Sequence, residues 1–571
     1  MLKLATVFSG IGAIEHALQR MNIDHEIVFA CDNGDVDIFK KKINMNFFEI
    51  AREVVYLKDK VGTLSIRVQD GFEYMTNLSD HLGRIVIKIE KLQEDINKDK
   101  LEKLINTLGV QTKVTVSNTV IYNYLDFSYE GSSYPIEHIL MLNELKKHLI
   151  GSQKKDKKKC SINENDVSLL SEFMSQSDTK NIQKSVREII DELQMLHEKI
   201  ETLQVLSELS KLDDPKDKKI YVDHLYENKL NSNFVRKSYK ENYNIDLDHF
   251  HWNASFLDGT SYRGKVDLFV GGSPCQAFSL VGKQRGLDDT RGTLFYEFAR
   301  LVKEIQPKVF IYENVRAVLS NDNGRTWETM KQIFSDLGYN WQFTTLNAKD
   351  FGIPQNRERL FVVGFRRDLE LEKEFEFPTP IPLEKVMKDF LVDNVSGKYY
   401  LNEKGVRFVT DNKNLEKRWT QVDGKIQLCQ KKNQQFNWHG DFVFVEENND
   451  MEKTMQDLEK YFLSEKVKKY VLATGTKGFY SKPEIDLDVA RPIIKTMHKM
   501  HRAGVDNYVT TEGRIRKLTP RECLRLMGFC DSFNIVVSDT QMYQQAGNSI
   551  VVDVLIEIVR KILCSYPNLI E

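Results

Sequence analysis

The chain lacks the features that staple small proteins or anchor membrane proteins. Its 571 residues include only 7 cysteines, widely scattered and without a Cys-x-x-Cys pair. This pattern argues against a disulfide framework and a zinc ribbon, and it favours a reducing compartment. No run approaches the ~20 apolar residues of a membrane span, and the apolar N-terminus is too short for a secretory signal. We therefore expect a cytoplasmic protein without a metal centre or a membrane contact.

The chain also lacks an excess of charge of either sign. Its 81 basic and 83 acidic residues leave a formal net charge of −2. This balance does not exclude a nucleic-acid partner, because only the face that meets phosphate must be basic. The segment between Arg491 and Arg525 contains nine Lys and Arg residues and three acids. This local excess of positive charge is compatible with such a face and equally with an ordinary solvated surface. At this length we expect roughly two to four domains.

Strand and helix patterns alternate over much of the chain. The apolar runs are 2–8, 26–31, 266–270, 309–312, 341–346 and 360–365, and the helical stretches among them are 13–21, 293–305 and 326–337. A glycine turn, Ser9-Gly10-Ile11-Gly12, separates the first strand from the first helix. Such alternation is typical of an α/β protein with a doubly wound sheet.

Two segments interrupt this alternation and define the predicted domains. Residues 34–230 are read as a mainly helical insertion of unknown role, which divides the α/β domain into 1–33 and 231–365. Residues 366–511 are read as a second, smaller domain, after which 512–571 return to the first.

One seam within the insertion has heptad spacing. It consists of Ile182, Val186, Ile189, Leu193, Leu196, Ile200 and Leu203. The seam fits an amphipathic helix packed on its own domain, or a coiled-coil contact between two chains. We expect a monomer, with a dimer through 182–203 as the alternative.

Residues suited to covalent chemistry follow the predicted strands. Cys275 stands in a glycine-containing turn after one strand, Glu313 ends the next, and Arg357 and Arg359 lead into a third. Open α/β sheets place their active sites at the carboxyl ends of strands. A cysteine near a carboxyl group fits a nucleophile coupled to proton transfer, and paired arginines suit an anion or a polarised carbonyl oxygen. A lone cysteine of this kind is more often structural. The prediction of an active site therefore depends on the cysteine, the carboxyl group and the arginines together.

These residues belong to an ordered set of motifs. The set consists of Phe8-Ser9-Gly10-Ile11-Gly12, Asp32, Pro274-Cys275-Gln276, Glu313-Asn314-Val315, Gln355-x-Arg357-x-Arg359, Arg516-Lys517-Leu518-Thr519-Pro520-Arg521-Glu522 and Gly547-Asn548-Ser549. In content and order it resembles the cytosine-5 DNA methyltransferases, especially the bacterial enzymes of type II restriction–modification systems. The resemblance covers roughly 1–33, 235–366 and 512–565.

The resemblance implies an S-adenosylmethionine-dependent methyltransferase (Rossmann-like) fold and a DNA (cytosine-5-)-methyltransferase activity. Cys275 would add to carbon 6 of cytosine, and Glu313 would hold or protonate ring nitrogen 3. Arg359, with Arg357, would bind the base carbonyl or a phosphate. The substrate would be double-stranded DNA with the target cytosine flipped out, and 366–511 would be the target-recognition domain.

The resemblance also assigns binding residues. For S-adenosyl-L-methionine they are Phe8, Ser9, Gly10, Ile11, Gly12, Asp32, Asn33, Asn253, Pro274, Leu294, Asn548 and Ser549. For DNA they are Gln276, Ser279, Lys283 and Arg285, the last three in a segment, 279–286, that resembles the family's mobile catalytic loop. Two positions depart from the family pattern: Asn253 replaces an acid that contacts adenine, and Asn33 replaces a bulkier group.

Other functions stay open on the sequence alone. The transfer-RNA branch of the same family carries a Cys-Phe-Thr signature, which this chain lacks. A catalytically silent DNA-binding protein is disfavoured by the intact set Cys275, Glu313, Arg357 and Arg359. A nuclease in 34–230 is disfavoured because no carboxylate–lysine cluster is evident there. A cognate restriction endonuclease is expected in the same system, without direct contact.

Overall fold

The fold is taken from a computed structural model of the chain. It describes residues 1–39, 43, 47–64, 71–115, 136–140, 142–143, 145–146, 164–175, 177–273, 294–392, 400–401, 403–428, 437–438, 440–443, 488–490, 501–502, 508–511 and 514–570. The chain forms two compact units. We call Met1–Val36 with Pro215–Glu571 the sheet unit, and Asp37–Asp214 the helical unit.

A seven-stranded sheet organises the sheet unit. Its strands are β1 (Leu2–Val7), β2 (His25–Cys31), β3 (Phe250–His251), β4 (Leu268–Gly271), β5 (Val309–Val315), β6 (Tyr339–Asn347) and β7 (Glu358–Arg366), in the order β3-β2-β1-β4-β5-β7-β6. The first five strands are mutually parallel. Helix α1 (Ala13–Arg20) connects β1 to β2, so the expected β-α-β opening is confirmed.

The sheet is mixed, which the alternation pattern did not predict. Strand β7 lies antiparallel between β5 and β6. Parallel neighbours need a crossover of a dozen or more residues, whereas only residues 348–357 separate β6 from β7. The short link therefore forces the chain to turn back, and the start of β7 lies at the edge where β5 ends.

The sheet is buried on both faces, as its apolar strands require. Along β1, Leu2 and Leu4 belong to one core cluster and Ala5 and Val7 to another. The same division recurs along β5 and β7, because successive side chains point to opposite faces.

The helical unit has a core of its own. Its longer described helices are α2 (Phe47–Thr63), α3 (Gly71–Glu94), α4 (Lys98–Thr115), α5 (Glu164–Ser175) and α6 (Ser177–Leu209). The heptad seam lies on α6, where six of its residues are buried in this core and Leu203 packs against it. That is the packing expected of an amphipathic helix on its own domain. In the described part of the chain, no helix combines the length and apolarity needed to cross a membrane.

Nine further α-helices are described in the sheet unit. They are α7 (Pro215–Leu225), α8 (Phe234–Asn242), α9 (Leu294–Ile305), α10 (Arg325–Asp336), α11 (Glu403–Val409), α12 (Asn412–Glu416), α13 (Pro520–Arg525), α14 (Asp539–Asn548) and α15 (Val552–Ser565). Helix α13 begins with a capping box formed by Thr519 and Glu522, with Pro520 at the first turn. These reciprocal bonds satisfy backbone donors at the helix start.

The first of these helices lies in a segment that the sequence interpretation placed in the insertion. Lys218 of α7 binds Asp258 at 2.5 Å. Tyr226, just after α7, stacks on Trp252 with ring centroids 4.7 Å apart. Residues 215–230 therefore pack within the sheet unit, and the structural boundary falls after Asp214.

Short strands occur within the predicted target-recognition segment and just after it. They are β8 (Tyr400–Leu401), β9 (Thr420–Val422), β10 (Asn437–Trp438), β11 (Gly440–Phe442), β12 (His501–Arg502), β13 (Tyr508–Thr511) and β14 (Arg514–Lys517). Strand β14 pairs with both β8 and β13, β9 pairs with β11, and β10 pairs with β12. At the start of the segment, Phe375 and Met387 are part of the sheet unit's core.

Candidate active site

One edge of the sheet collects most of the described candidate residues. The carboxyl ends of β1, β2, β3, β4 and β5 lead into Phe8, Asp32, Trp252, Gly272 and Arg316, respectively. Because these strands are parallel, their carboxyl ends meet at the same edge. Since β7 runs in the opposite direction, its second residue, Arg359, lies at that edge too, paired with Val315.

The turn after β1 has an unusual backbone. Phe8, Gly10 and Gly12 all have positive φ angles, of 55°, 55° and 76°. A Cβ at Gly12 would lie 2.2 Å from the Tyr243 ring, whereas one at Gly10 would meet no atom of the described residues within 4 Å. Gly12 is therefore required by packing, while the described part of the chain leaves the side of Gly10 open. The Tyr243 hydroxyl fixes the turn by donating to the carbonyl oxygens of Ile11 and Gly12, at 3.1 and 2.7 Å.

Asp32 and the turn are bonded directly. The Gly10 amide donates to Asp32 Oδ2 at 2.9 Å, and the Gly34 amide donates to Asp32 Oδ1 at 2.7 Å. Ser9 Oγ accepts from the Cys31 amide at 3.0 Å. Asn33 is exposed, and its Oδ1 accepts from the Asp35 amide. The structure therefore brings Ser9, Gly10 and Asp32 together.

A buried acid beneath this turn was missed by the sequence reasoning. Glu15 is fully buried, and its Oε1 accepts from the hydroxyls of Tyr239 at 2.5 Å and Thr6 at 3.2 Å. The Thr6 hydroxyl in turn lies 2.7 Å from that of Ser9. Burial raises the pKa of Glu15 to about 7. The available signal was an acid on the apolar side of α1.

Asn253 is held by bonds at both ends of its amide. Its Nδ2 donates to the Tyr226 hydroxyl at 3.2 Å, and its Oδ1 accepts from the Ser255 amide at 3.0 Å. The following loop is clamped by Arg300 of α9, which donates to the carbonyl oxygens of Ala254 at 2.7 Å and Leu257 at 3.0 Å. The sequence pattern did not indicate this clamp, because the two carbonyl groups are distant from Arg300 in the chain. Arg300 also pairs with Glu297 and Glu304 of its own helix.

Glu313 and Arg359 form the charged centre of the edge. Arg359 Nε lies 3.2 Å from Glu313 Oε1, and the two side chains are only 15% and 13% exposed. Burial raises the pKa of Glu313, while the positive charges of Arg359 and Arg357 oppose that rise. The backbone at Gly272 passes close by, since a Cβ there would lie 2.8 Å from Glu313 Oε2.

Arg357 has different surroundings from Arg359. It precedes β7, is buried, and donates from Nη2 to the carbonyl oxygens of Ser549 at 2.8 Å and Gly547 at 3.1 Å. Between these two, Asn548 ends α14 and is exposed, and Ser549 itself is buried. Arg357 thus ties the C-terminal part of the sheet unit to the start of β7.

Several predicted residues lie outside the described part of the chain. They are Pro274, Cys275, Gln276, Ser279, Lys283 and Arg285. The described residues that flank them are Ser273 and Leu294, the latter partly buried at the start of α9. Ser273 Oγ lies 2.7 Å from the Tyr312 hydroxyl, and Asn314 Nδ2 donates to both oxygens. Neither Ser273 nor Tyr312 was singled out by the sequence reasoning.

Comparison with known proteins identifies the family. The model of the C-5 cytosine-specific DNA methylases matches residues 216–564. The type II methyltransferase M1.ScrFI of Lactococcus lactis subsp. cremoris is 33% identical over 331 residues, which are 58% of this chain and 69% of that protein. The type II methyltransferase M.HhaI of Haemophilus parahaemolyticus is 34% identical over 295 residues, 51% and 73% of the two chains. The type II methyltransferase M.Eco47II of Escherichia coli is 49% identical over 146 residues, 24% and 35%.

The chain belongs to the C-5 cytosine-specific DNA methylase family. It is an enzyme of the DNA (cytosine-5-)-methyltransferase class, as the resemblance in the sequence predicted. The mixed seven-stranded sheet confirms the predicted Rossmann-like methyltransferase fold. The family match begins at residue 216, so the helical unit, Asp37–Asp214, lies outside it.

Proposed function

We propose that the chain is the modification enzyme of a restriction–modification system, which methylates carbon 5 of a flipped-out cytosine in one short duplex sequence. The observation that carries the proposal is the Glu313–Arg359 pair, with its 3.2 Å contact. This pair lies beside Gly272, three residues before Cys275. It supplies a carboxyl group that can donate or accept a proton, and a cation, close in the chain to the nucleophile Cys275.

The residues at the edge fit S-adenosyl-L-methionine. No described residue covers the side of Gly10, so among these residues the backbone of the turn is accessible. Asp32 is held at the end of β2 by the amides of Gly10 and Gly34. We assign Phe8, Ser9, Ile11, Gly12, Asn33, Asn253, Pro274, Leu294, Asn548 and Ser549 to the same pocket. When bound, this group supplies an electrophilic methyl on its sulfonium and leaves as a thioether.

The chain's own residues make carbon 5 reactive. The Cys275 thiolate adds to carbon 6 of the base, and the electron pair displaced from the 5,6 double bond gives carbon 5 its nucleophilic character. Protonated Glu313, favoured by burial, donates to ring nitrogen 3 and thereby disperses the charge that the addition brings. Arg359 holds Glu313 and binds the base carbonyl oxygen, with Arg357 fixing the start of β7. After methylation, a base removes the carbon 5 proton and the thiolate is expelled, which restores the double bond and free Cys275.

DNA contacts divide between two parts of the chain. A base inside a stacked duplex cannot be reached by Cys275, so the target nucleotide must rotate out. We place Gln276, Ser279, Lys283 and Arg285 at the DNA, with the two cations near phosphate. Residues 366–511 would read the flanking bases, since groove readout uses Arg, Lys, Asn and Gln side chains.

The proposal is tested by methyl transfer with the purified full-length chain. Labelled S-adenosylmethionine is incubated with unmethylated duplex DNA or with transfer RNA. We expect label in DNA cytosine for the wild type and for Cys564→Ser, an exposed-cysteine control. We expect none for Cys275→Ser, which should still bind DNA. Full activity in Cys275→Ser would overturn the mechanism, and label confined to transfer RNA would overturn the substrate.

A further inference from the structure

The hydroxyl of Tyr312 is the centre of a buried hydrogen-bond triad. It lies 2.7 Å from Ser273 Oγ, and Asn314 Nδ2 donates to the Tyr312 hydroxyl at 2.7 Å and to Ser273 Oγ at 3.1 Å. All three residues are at most 4% exposed. Burial raises the pKa of the phenol well above its usual range, so the hydroxyl keeps its proton and can both donate and accept. Ser273 is thus fixed to β5 by two bonds that water does not reach.

The ring of Tyr312 contacts a different part of the chain. Its centroid lies 5.6 Å from that of Phe295 and 4.9 Å from that of Phe298, both in the first turns of α9. Edge-on and tilted contacts at such distances are favourable beyond the apolar area they bury. Phe334 of α10 completes the cluster at 5.7 Å.

These two sets of contacts flank the same segment. Ser273 immediately precedes residues 274–293, and only Leu294 separates these residues from Phe295. One side chain therefore holds the chain on both sides of the segment that contains Cys275: its hydroxyl holds the side leading in, and its ring holds the side leading out.

The neighbouring residue on β5 is Glu313. Alternation along a strand places Tyr312 and Asn314 on one face and Glu313 on the other, in agreement with the aromatic cluster on the first face and the Arg359 contact on the second. The bond between Ser273 and Tyr312 therefore ties Ser273 to the residue that directly precedes Glu313 on β5.

We propose that Tyr312 is a positioning residue for the nucleophile: it fixes both flanks of 274–293 against β5 and so sets Cys275 relative to Glu313. The inference rests on the proposed role of Cys275. A displacement of about 1 Å in a reacting group can cost about 100-fold in rate. The contribution of Tyr312 should therefore show in the addition step rather than in ligand affinity.

The test measures how fast Cys275 adds to the base. Duplex DNA carrying 5-fluorocytosine is mixed with excess enzyme and S-adenosylmethionine, and the covalent complex is counted with time. The complex persists because fluorine cannot be removed as a cation in the last step. Tyr312→Phe keeps the ring contacts and removes only the hydroxyl. Tyr339→Phe is the matched control, since it removes another buried hydroxyl of the same sheet, bonded to the Pro307 carbonyl at 2.7 Å.

We expect Tyr312→Phe to slow complex formation by about 10- to 100-fold, with unchanged affinity for S-adenosylmethionine. Tyr339→Phe should react at the wild-type rate. Ser273→Ala should repeat the defect and Ser273→Thr, which keeps a hydroxyl, should restore most of the rate; this pair serves if Tyr312→Phe does not fold. Equal rates for Tyr312→Phe and Tyr339→Phe, whether both normal or both reduced, would overturn the inference. In that event a Cys275→Ser variant that forms no complex leaves the proposed function intact, whereas one that methylates DNA overturns that function itself.

Discussion

Arg359 and Glu313 contact each other across two strands that run in opposite directions. Glu313 is near the end of β5 and Arg359 is near the start of β7, with Val315 paired to Arg359 and Glu313 paired to Phe361. The two side chains are diagonal neighbours on one face, within reach for long side chains. Had β7 been parallel to β5, its first residues would lie at the opposite edge. The antiparallel strand is thus what brings an arginine to the carboxyl ends of the parallel strands.

Glu313→Gln should slow methyl transfer by more than about 100-fold, because the amide cannot donate or accept the ring nitrogen proton as a carboxyl group does. Single-turnover transfer to duplex DNA measures this. Glu328→Gln is the control, since Glu328 is an exposed acid on α10. Unchanged turnover in Glu313→Gln would remove Glu313 from the chemistry.

Arg359→Met and Arg357→Met should differ in what they damage. Arg359 contacts Glu313, so its loss should lower the transfer rate by about 100-fold, the cost of one charge-stabilising donor, with a small change in stability. Arg357 binds two backbone carbonyls, so its loss should lower the free energy of unfolding by about 1–3 kcal/mol. Thermal midpoints and single-turnover rates distinguish the two. The reverse pattern would contradict the assignment.

Gly272→Ala should impair catalysis through crowding. The added methyl would lie 2.8 Å from Glu313 Oε2 and 3.0 Å from the Glu313 carbonyl oxygen, so the carboxyl group or the backbone must shift. We expect a loss of transfer rate of about tenfold or more. Gly83→Ala, where a Cβ meets no described atom within 4 Å, should behave as the wild type. A fully active Gly272→Ala variant would show that the chain at Gly272 tolerates displacement.

Glu15→Gln should change how stability depends on pH. The wild-type pKa rises from 4.5 to about 7 on folding, so between these values the folded state holds a proton that the unfolded state has released. The wild-type free energy of unfolding therefore falls as the pH rises through this window and levels off above about 7, a loss of about 3 kcal/mol. The glutamine variant lacks this loss, so its stability relative to the wild type should be greater at pH 8 than at pH 5. Urea midpoints at both pH values measure the difference; a pH-independent difference would contradict it.

The boundary of the insertion can be tested with two deletions. Replacing 37–214 by a short linker leaves Lys218, Tyr226 and their contacts in place, so the sheet unit should stay folded. Replacing 34–230 removes both residues as well as Gly34, whose amide binds Asp32, so folding and S-adenosylmethionine binding should fail. Thermal unfolding and equilibrium binding compare the two. A folded, binding-competent 34–230 deletion would move the boundary back to the sequence prediction.

The sequence was sufficient where a motif coincides with a strand end. Strand periodicity indicated the doubly wound sheet, and parallel strands necessarily bring Phe8, Asp32 and Glu313 to one edge. The capping box of Thr519 and Glu522 is likewise a local feature, because its residues lie within four consecutive positions.

Contacts between residues distant in the chain could not be predicted from the sequence. Nothing local marks Tyr239 as the partner of Glu15, or Arg300 as the clamp of the Ala254 carbonyl, since each pair is distant in the chain. The antiparallel direction of β7 depends on a link length rather than on a side-chain pattern. The role of Tyr312 depends on which residues pack around its ring. The pattern of a single strand does not indicate those residues.

Base-resolution mapping of 5-methylcytosine on plasmid DNA tests most directly whether the chain methylates DNA through Cys275. The plasmid is recovered from a host without cytosine-5 methylation that expresses the wild type, Cys275→Ser or Cys564→Ser. We expect 5-methylcytosine at one short recurring sequence for the wild type and for Cys564→Ser, and none for Cys275→Ser. An unmethylated plasmid from folded wild-type enzyme that binds S-adenosylmethionine, or methylation that survives in Cys275→Ser, would contradict this expectation.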